Sequence, residues 1–415
     1  NLGIKVPPAQ LIEAVRAHKP DMVGLSGLLV KSAQQMVATA EDMSRAGVAV
    51  PIIVGGAALT RGFVDRQIAP AYGAGTVAYA KDGMAGLDLA RQIVEPERHE
   101  RLRSELSTQR SKLAAVPAPA APAASPAVTE RSPSLPIVAE PPQPPDFDRH
   151  VLANTPLAQI WKFVNPLMLY GRHLGLKGSL ARALGVTDPR ELATTEEGQK
   201  ALELERVVGE VQAECEAGGL MKPMAVYQFL RAEGAGNRLV LRDPQGRELG
   251  GFDFQRQPKA GGLCLADLAN PPGAAPDALC LFVVTAGAGI RARAEELKQQ
   301  GDYLKSHVLQ ALALESAEAY AELLHAKIRS LWGFPDGLDV TMQDRFKAQY
   351  RGKRYSFGYP ACPRLEDQEL LFTLLRPDEI GVQLTDGCMM DPEASVSALV
   401  FHHPQASYFS ASARE

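Results

Sequence analysis

The 415-residue sequence predicts two regions of different class: an α/β region on a doubly wound parallel sheet, then an α+β region. Three observations carry this. Apolar strand-like runs alternate with helical runs up to about residue 96. A stretch rich in Ala, Pro and Ser then interrupts the pattern, and beyond it strands and helices are grouped rather than alternating. Alternation implies a parallel sheet and grouping implies α+β. The length exceeds what one compact core holds, in keeping with more than one domain.

In the first region, NLGIKVP reads as a strand end, and Pro8 suits the first turn of a helix over 8–18. DMVGLSGLLV (21–30) reads as a buried parallel strand running into a loop. Ser32 is placed to cap the helix AQQMVATAEDMSRAG, which Gly47 ends. VPIIVGGAALT (50–60) repeats the strand-to-glycine pattern, GTVAYAKDG (75–83) supplies the last strand and 84–95 the last helix. Residues 97–113 are charged and helical. The stretch 114–145 holds ten of the 31 prolines, which marks an extended linker without a core. The expected domains are 1–105 and 150–415, with a linker over 106–149.

In the second region, helices are expected near 155–185 and 197–217 and strands over 224–234, 237–243, 249–257, 278–287 and 396–403. A long helix is expected over 291–331, with Leu304, Val308, Leu312, Tyr320, Leu324, Ile328 and Leu331 as its apolar face.

Hydrophobic content of 46% and charged content of 22% read as soluble and globular. A net charge of −4 leaves no footprint for nucleic acid or an anionic membrane. No run of about 18 apolar residues marks a membrane span, and no signal peptide is visible. Cys215, Cys264, Cys280, Cys362 and Cys388 form no C-x-x-C pair, which argues against disulfides and a zinc knuckle and for a cytoplasmic setting. The chain opens at Asn1 in mid-pattern, as expected of a fragment.

Ligands of doubly wound sheets sit beyond the carboxyl ends of the strands. Two such ends are rich in small residues, GLSG (24–27) and GGA (55–57). Glycine lets a ligand approach the backbone and Ser26 adds a hydroxyl, although tight strand–helix packing uses the same residues. The spacing is not G-x-G-x-x-G, so a dinucleotide site is poorly supported. Downstream, GKRYSFGYPACP (352–363) packs a cation, aromatic rings, glycine and two prolines together. Arg354 can grip a carboxylate through two parallel hydrogen bonds, and the rings can face a sulfonium or lie against an adenine. A structural loop with a surface arginine is the alternative. His402–His403 reads as a strand end rather than a metal pair, Cys362 and Met389–Met390 as packing residues, and Trp161 and Trp332 as core.

The run LGIKVPPAQLIEAVRAHKPDMVGLSGLLVKSAQQMV, with VPIIVGGAALT and VAYAKD, resembles the corrinoid-binding domain of cobalamin-dependent methionine synthase and its methyltransferase relatives. The resemblance implies a flavodoxin-like fold with the cobalamin tail slotted beside Ser26, Gly55 and Gly56, and with Tyr79 and Ala80 lining the same slot. Val30 stands where that family often has a threonine. The family's Asp-x-His-x-x-Gly loop, with its cobalt-ligating histidine, does not occur in the chain, nor do the fold's first strand and helix. No residue here is implied as a metal ligand.

RYSFGYPACP resembles the signature of the activation domain of the same family. The similarity extends over most of 150–415, through LCLADLANP, LFVVTAG, AEAYAELLHAKIRSLWGF and EASVSALVFHHPQASYF. It implies a curved antiparallel sheet flanked by helices that binds S-adenosylmethionine. Arg354 would meet the methionyl carboxylate, Ser356 and Gly358 would contact the cofactor through their backbone, and Tyr359, Tyr408 and Glu318 would join the site. Glu318 read alone is a solvated helix face, with Glu315 and Glu322 flanking it. Two family acids are replaced, one by Ala153 or Asn154, which puts Asn154 at a site position, and one by Ala348.

The implied function is that of the C-terminal part of a methyltransferase. The whole enzyme moves a methyl group from methyltetrahydrofolate to homocysteine through methylcobalamin. This part would hold cobalamin and use S-adenosylmethionine to remethylate cob(II)alamin, with an electron from flavodoxin or a similar reductase. Its other partners would be the remaining synthase domains, zinc would belong to the homocysteine domain outside this chain, and a monomer is expected. A non-catalytic S-adenosylmethionine or cobalamin sensor is the alternative. The signature argues against a methylamine or methanol corrinoid protein.

Overall fold

The computed structural model describes all residues except 1, 4–5, 28–29, 57–58, 74, 116–129, 386 and 412–415. The chain divides into two units, 1–127 and 128–415.

In the first unit three parallel strands lie in the order β1 (Val23–Ser26), β2 (Ile52–Gly55) and β3 (Val77–Ala80). Their apolar residues alternate between faces. Val23, Ile52, Val54 and Val77 pack against Leu11, Met36, Met43, Val64 and Ile68 on one side. Ile53 and Ala78 meet Ile93, Leu102 and Leu106 on the other. Both faces are thus covered, as a parallel sheet requires. The covering helices are Pro8–His18, Val30–Arg45, Gly83–Val94 and Pro96–Ala115, with a further helical run from Arg61 to Tyr72. Thr60 starts that run by accepting the Phe63 N–H at 3.2 Å, and Asp82 caps Gly83–Val94 by accepting the Ala85 N–H at 2.7 Å. Two expectations change. The second helix begins at Val30, so Ser32 lies inside its first turn rather than capping it. Of the expected strand end NLGIKVP, residues 1, 4 and 5 lie outside the described residues and the others form no strand.

The second unit is built on a seven-stranded antiparallel sheet. The order is β7 (Glu248–Asp253), β6 (Arg238–Arg242), β5 (Met224–Ala235), β8 (Asp277–Thr285), β12 (Ser395–Phe401), β9 (Lys353–Tyr355), with β4 (Arg149–Leu152) also paired to β5. Strands β10 (Gln383–Leu384) and β11 (Met390–Asp391) pair separately. Every residue of β8 is buried, so both sheet faces are covered. Cys280, Phe282, Val284, Ala398 and Val400 face helices Glu196–Gly218, Ile290–Gln299 and Tyr303–Leu331. Leu281, Val283, Leu399 and Phe401 face Leu265–Leu268 and helix Gln368–Leu375. The single helix expected over 291–331 is two helices. Gly301 takes a φ of +84°, and the Asp302 side chain then accepts the Lys305 N–H at 3.1 Å to start the second. Val308, Leu312, Tyr320, Leu324 and Ile328 are buried as the pattern requires, while Leu304 and Leu331 are exposed.

The linker expected over 106–149 is narrowed from both sides. Helix Pro96–Ala115 belongs to the first unit, where Leu102 and Leu106 are buried. Residues 131–142 lie on the second unit, with Ser132 and Leu135 buried. Their backbone polar groups are met by fixed side chains. Asp267 accepts the Ser132 N–H at 3.0 Å, and Asn270 both accepts from Val138 N at 2.9 Å and donates to Val138 O at 2.8 Å. Trp332 Nε1 donates to Pro142 O at 2.9 Å. Composition alone does not show such partners, because a proline-rich segment read by itself has no core to join. Asp267 anchors the strap through a buried fork to Arg256. Replacing one partner of a buried pair strands the other charge. Asp267→Ala is expected to cost about 3–5 kcal/mol in urea unfolding and to open 131–138 to limited proteolysis. An unchanged midpoint and digestion pattern would refute the anchor.

Candidate functional site

The predicted signature folds as an edge strand and a tight turn. In β9, Lys353 and Tyr355 are buried and Arg354 takes the other face. Arg354 pairs with Val400 of β12 and so shares the side of the sheet covered by helix Tyr303–Leu331. The chain then turns through Ser356–Cys362. Gly358, at φ +85°, donates its N–H to Cys362 O, and the Cys362 N–H returns to Tyr359 O, each at 2.9 Å. Ser356 Oγ donates to Ser397 O at 2.7 Å and ties the turn to β12. The turn leaves Tyr359 40% exposed, and Tyr408 is 55% exposed. Tyr408 packs edge-on against Tyr355, with ring centroids 5.6 Å apart.

The long helix supplies the opposing acids. Glu318 and Glu322 are four residues apart and so share one helix face. Arg354 Nη1 donates to Glu322 Oε2, and its Nη2 lies 3.9 Å from Glu318 Oε2. Tyr350 Oη donates to the same Glu322 oxygen at 3.2 Å. The Arg329 guanidinium lies 3.8 Å from the Tyr350 ring centroid and forks onto Asp336 at 2.7 and 2.8 Å. Arg345 joins Asp336 at 3.0 Å. Glu318 is exposed as expected of it read alone, whereas its two flanking glutamates are buried. Glu322 is buried against Arg354, and Glu315 is buried against His173 Nε2 at 2.8 Å. Glu318 is the exposed one. Sequence reasoning named Glu322 only as a flank of Glu318, although its place in the middle of a long apolar helix was a usable signal.

Charge and burial shift the groups around this cleft. Burial pulls Arg354 down, but Glu322, Tyr350, Tyr408 and Glu318 outweigh it, and its pKa is raised. Glu318 first and burial second push Tyr359 up; burial pushes Tyr408 up. Burial pulls His325 well below the ordinary imidazole value, aided by Arg329, Arg354 and Lys353. The arrangement fits a ligand with a carboxylate and a cationic end. Among the described residues, Arg354 Nε and Nη2 donate no hydrogen bond, Glu318 lies 3.9 Å from Nη2, and Tyr359 and Tyr408 are partly exposed nearby.

Asn154, the remaining expected site residue, shows no hydrogen bond with Arg354 or Glu318 among the described residues. It is exposed just past β4 and forms no hydrogen bond among the described residues; its neighbour Thr155 meets Tyr320 Oη at 2.7 Å. His402 and His403 are a buried strand end, His402 Nε2 meeting Asp277 Oδ1 at 2.7 Å and His403 Nε2 meeting Pro136 O at 3.0 Å. All five cysteines are free and buried, Trp332 is buried, and Trp161 is half-buried. Among the described residues no cluster of His, Cys, Asp and Glu could hold a metal ion, and no helix is long and apolar enough to cross a membrane.

In the first unit, Ser26, Gly55 and Ala80 lie in one row across the carboxyl edge of the sheet. Gly56 follows at φ +111°, and a Cβ there would overlap Gly27 O and lie 2.7 Å from Gly27 N. A Cβ on Gly55 would sit 3.0 Å from Ala80 O. Both glycines are thus required by close approach of the chain to itself at the carboxyl edge of the sheet, where this fold class places its ligands. Tyr79 and Ala80 line opposite faces. Tyr79 Oη donates to Leu59 O at 3.1 Å beneath Arg61, so its phenol is already engaged on one side of the row.

A three-stranded parallel sheet with helices on both faces, followed by an antiparallel sheet domain with an arginine–carboxylate cluster, defines a two-domain chain of α/β then α+β class. The family model described as "Vitamin B12 dependent methionine synthase, activation domain" matches residues 172–413, and the "B12 binding domain" model matches 1–81. The methionine synthase of Mycobacterium tuberculosis is 33% identical over 446 residues, covering 99% of this chain and 36% of that protein. That of Mycobacterium leprae is 32% identical over 449 residues, with the same coverages. The chain thus spans about a third of the length of these relatives. The crystal structure of the MetH reactivation domain bound to AdoHcy matches with a TM-score of 0.57 and 25% identity, covering 65% of this chain and 83% of that one. The chain belongs to the vitamin B12-dependent methionine synthase activation-domain family.

Two outcomes follow from these geometries. Gly56→Ala is expected to destabilise the first unit by roughly 1–3 kcal/mol, because the left-handed backbone and the Gly27 contact both resist a Cβ; calorimetric unfolding checks it. The second concerns pH. His325 is depressed from 6.5, so the unfolded chain takes up its proton first as pH falls. The stability held by neutral His325 is whole above about pH 6.5 and is lost as pH drops below it, at up to about 1.4 kcal/mol per pH unit. His403 is depressed too, so part of the slope remains in a single variant. His325→Leu should flatten the fall of the urea midpoint between about pH 7 and 5; an identical slope would show that His325 does not titrate on unfolding.

Proposed function

We propose that this chain is the cobalamin-holding and reactivating part of a methionine synthase, whose whole activity is methyl transfer from methyltetrahydrofolate to homocysteine. When bound, S-adenosylmethionine supplies a methyl group and cobalamin accepts it, with an electron from flavodoxin or a similar reductase. The observation that carries the reading is the group around Arg354, whose Nε and Nη2 donate no hydrogen bond among the described residues and which stands beside Glu318, Tyr359 and Tyr408.

The roles of the residues follow from their chemistry. Arg354 takes the methionyl carboxylate through its free edge, since a planar guanidinium matches a carboxylate with two parallel hydrogen bonds. Glu318, exposed and opposite, receives the ammonium. Tyr359 and Tyr408 present ring faces that a sulfonium or an adenine can meet. Gly358 lets the cofactor approach the backbone, and Ser356 holds the turn on β12. Ala348 and Asn154 carry no carboxylate, so the negative charge facing Arg354 comes from Glu318 and Glu322. In the first unit, Ser26, Gly55, Gly56 and Ala80 offer the cobalamin tail a surface without bulky side chains, and Tyr79 borders it. The remaining synthase domains are the natural partners, and five free thiols suit the cytoplasm.

Calorimetric titration of S-adenosylmethionine into the full chain tests this. Wild type is expected to bind in the micromolar range, and Arg354→Ala to lose roughly two orders of magnitude. A folded wild type that shows no heat of binding, or an Arg354→Ala variant that binds unchanged, would overturn the reading.

A further inference from the structure

Arg354 makes one hydrogen bond among the described residues, from Nη1 to Glu322 Oε2. That oxygen is itself fixed by Tyr350 Oη at 3.2 Å. The other, Oε1, is buried, accepts no hydrogen bond and lies 4.0 Å from Arg329 Nη2. Arg329 is locked in turn by its fork to Asp336, which also holds Arg345. Glu322 therefore sits in a rigid polar layer running from Asp336 to Arg354, and none of its neighbours can follow if it moves. Lys353 cannot replace it as a tether, because its ammonium is spent on the carbonyls of Tyr350 and Gly352.

An arginine on an edge strand has a long, rotamer-rich side chain. Pinning one end of its guanidinium removes that freedom before a ligand arrives and sets the plane of the remaining donors. The Nη1 end is taken by Glu322, so the Nε–Nη2 edge is what a second carboxylate can use. We propose that Glu322, supported by Tyr350, is a positioning residue for S-adenosylmethionine, holding Arg354 through Nη1 so that its opposite edge meets the methionyl carboxylate. This rests on the binding site proposed above and adds how its specificity for a carboxylate arises. Glu318 lies 3.9 Å from Nη2, beyond hydrogen-bond reach, and so does not set the plane of the guanidinium. Within the proposed site Glu322 acts on the ligand only through the arginine.

The test is calorimetric, on the full chain, with S-adenosylmethionine and its decarboxylated analogue, which keeps the sulfonium, ammonium and adenine. Glu322→Gln is expected to weaken S-adenosylmethionine about tenfold and to leave the analogue within about twofold, so that the preference for the carboxylate shrinks. Tyr350→Phe, which keeps the ring over Arg329, should move the preference in the same direction by less, and decides the matter if Glu322→Gln does not fold. Equal weakening of both compounds would reduce Glu322 to packing and overturn the proposal. Unchanged binding would overturn it, and so would tighter binding of S-adenosylmethionine, the mark of a competing carboxylate. If wild type binds neither compound, the site itself has been misread and this proposal falls with it; a wild type that binds while the variants keep its preference refutes the positioning role alone.

Discussion

The second unit depends on how it solves one problem, a guanidinium brought to the edge of a packed core. Removing an arginine from water is costly unless a carboxylate meets it with good geometry. Helix Tyr303–Leu331 provides that carboxylate from within an otherwise apolar surface, so helix and sheet can only pack in the register that brings Glu322 to Arg354. The requirement propagates. Glu322 also lies near Arg329, Arg329 needs Asp336, and Asp336 draws in Arg345 from the segment leading to β9. A chain of alternating charges thus orders the loop between the long helix and the signature strand. The rings of Tyr350 and His325 fill the layer between the charged links, 5.3 Å apart and nearly perpendicular.

Much of the fold was legible because it rests on local patterns. The parallel strands of the first unit announce themselves as apolar runs ending in glycine, and the row Ser26–Gly55–Ala80 follows once those runs are aligned as neighbours. What local patterns could not show is where a chain-distant partner sits. Ser32 looks like a cap, but helix Val30–Arg45 starts two residues earlier. The helix expected over 291–331 has one continuous apolar rhythm, yet Gly301 at φ +84° and the capping side chain of Asp302 break it, and both lie outside the apolar positions used to read it. Residues 131–142 have the composition of a linker. Their backbone is nevertheless satisfied by Asp267, Asn270 and Trp332, each more than a hundred residues away.

The candidate site divides in the same way. Arg354, Gly358 and Tyr359 are contiguous, and their chemistry could be read as a unit. Tyr408 reaches the site through the packing of Tyr355, which is visible only when β9 and β12 lie side by side. Glu322 was noticed only as a flank of Glu318, because three glutamates at helical spacing suggest a wet face. That inference fails when each acid has its own distant base. His173 takes Glu315, Arg354 takes Glu322, and Glu318 is the exposed one.

The distribution of those three acids bears on the two family acids that are missing. A site that recognises a zwitterion needs a fixed cation and a fixed or adjustable anion. If both anions came from flexible loops, each would lose side-chain entropy on binding. Here the negative charge is moved onto one rigid helix, and the two carboxylates divide the labour by burial. The buried one is engaged with Arg354 and Tyr350, and the exposed one stands at the surface 3.9 Å from Arg354 Nη2. Ala348, at φ +53° in the turn before the signature, carries no side chain that could compete for Arg354. The loss of acids from the loops is therefore compatible with a working cleft, because the charge that opposes Arg354 is supplied by the element least able to move.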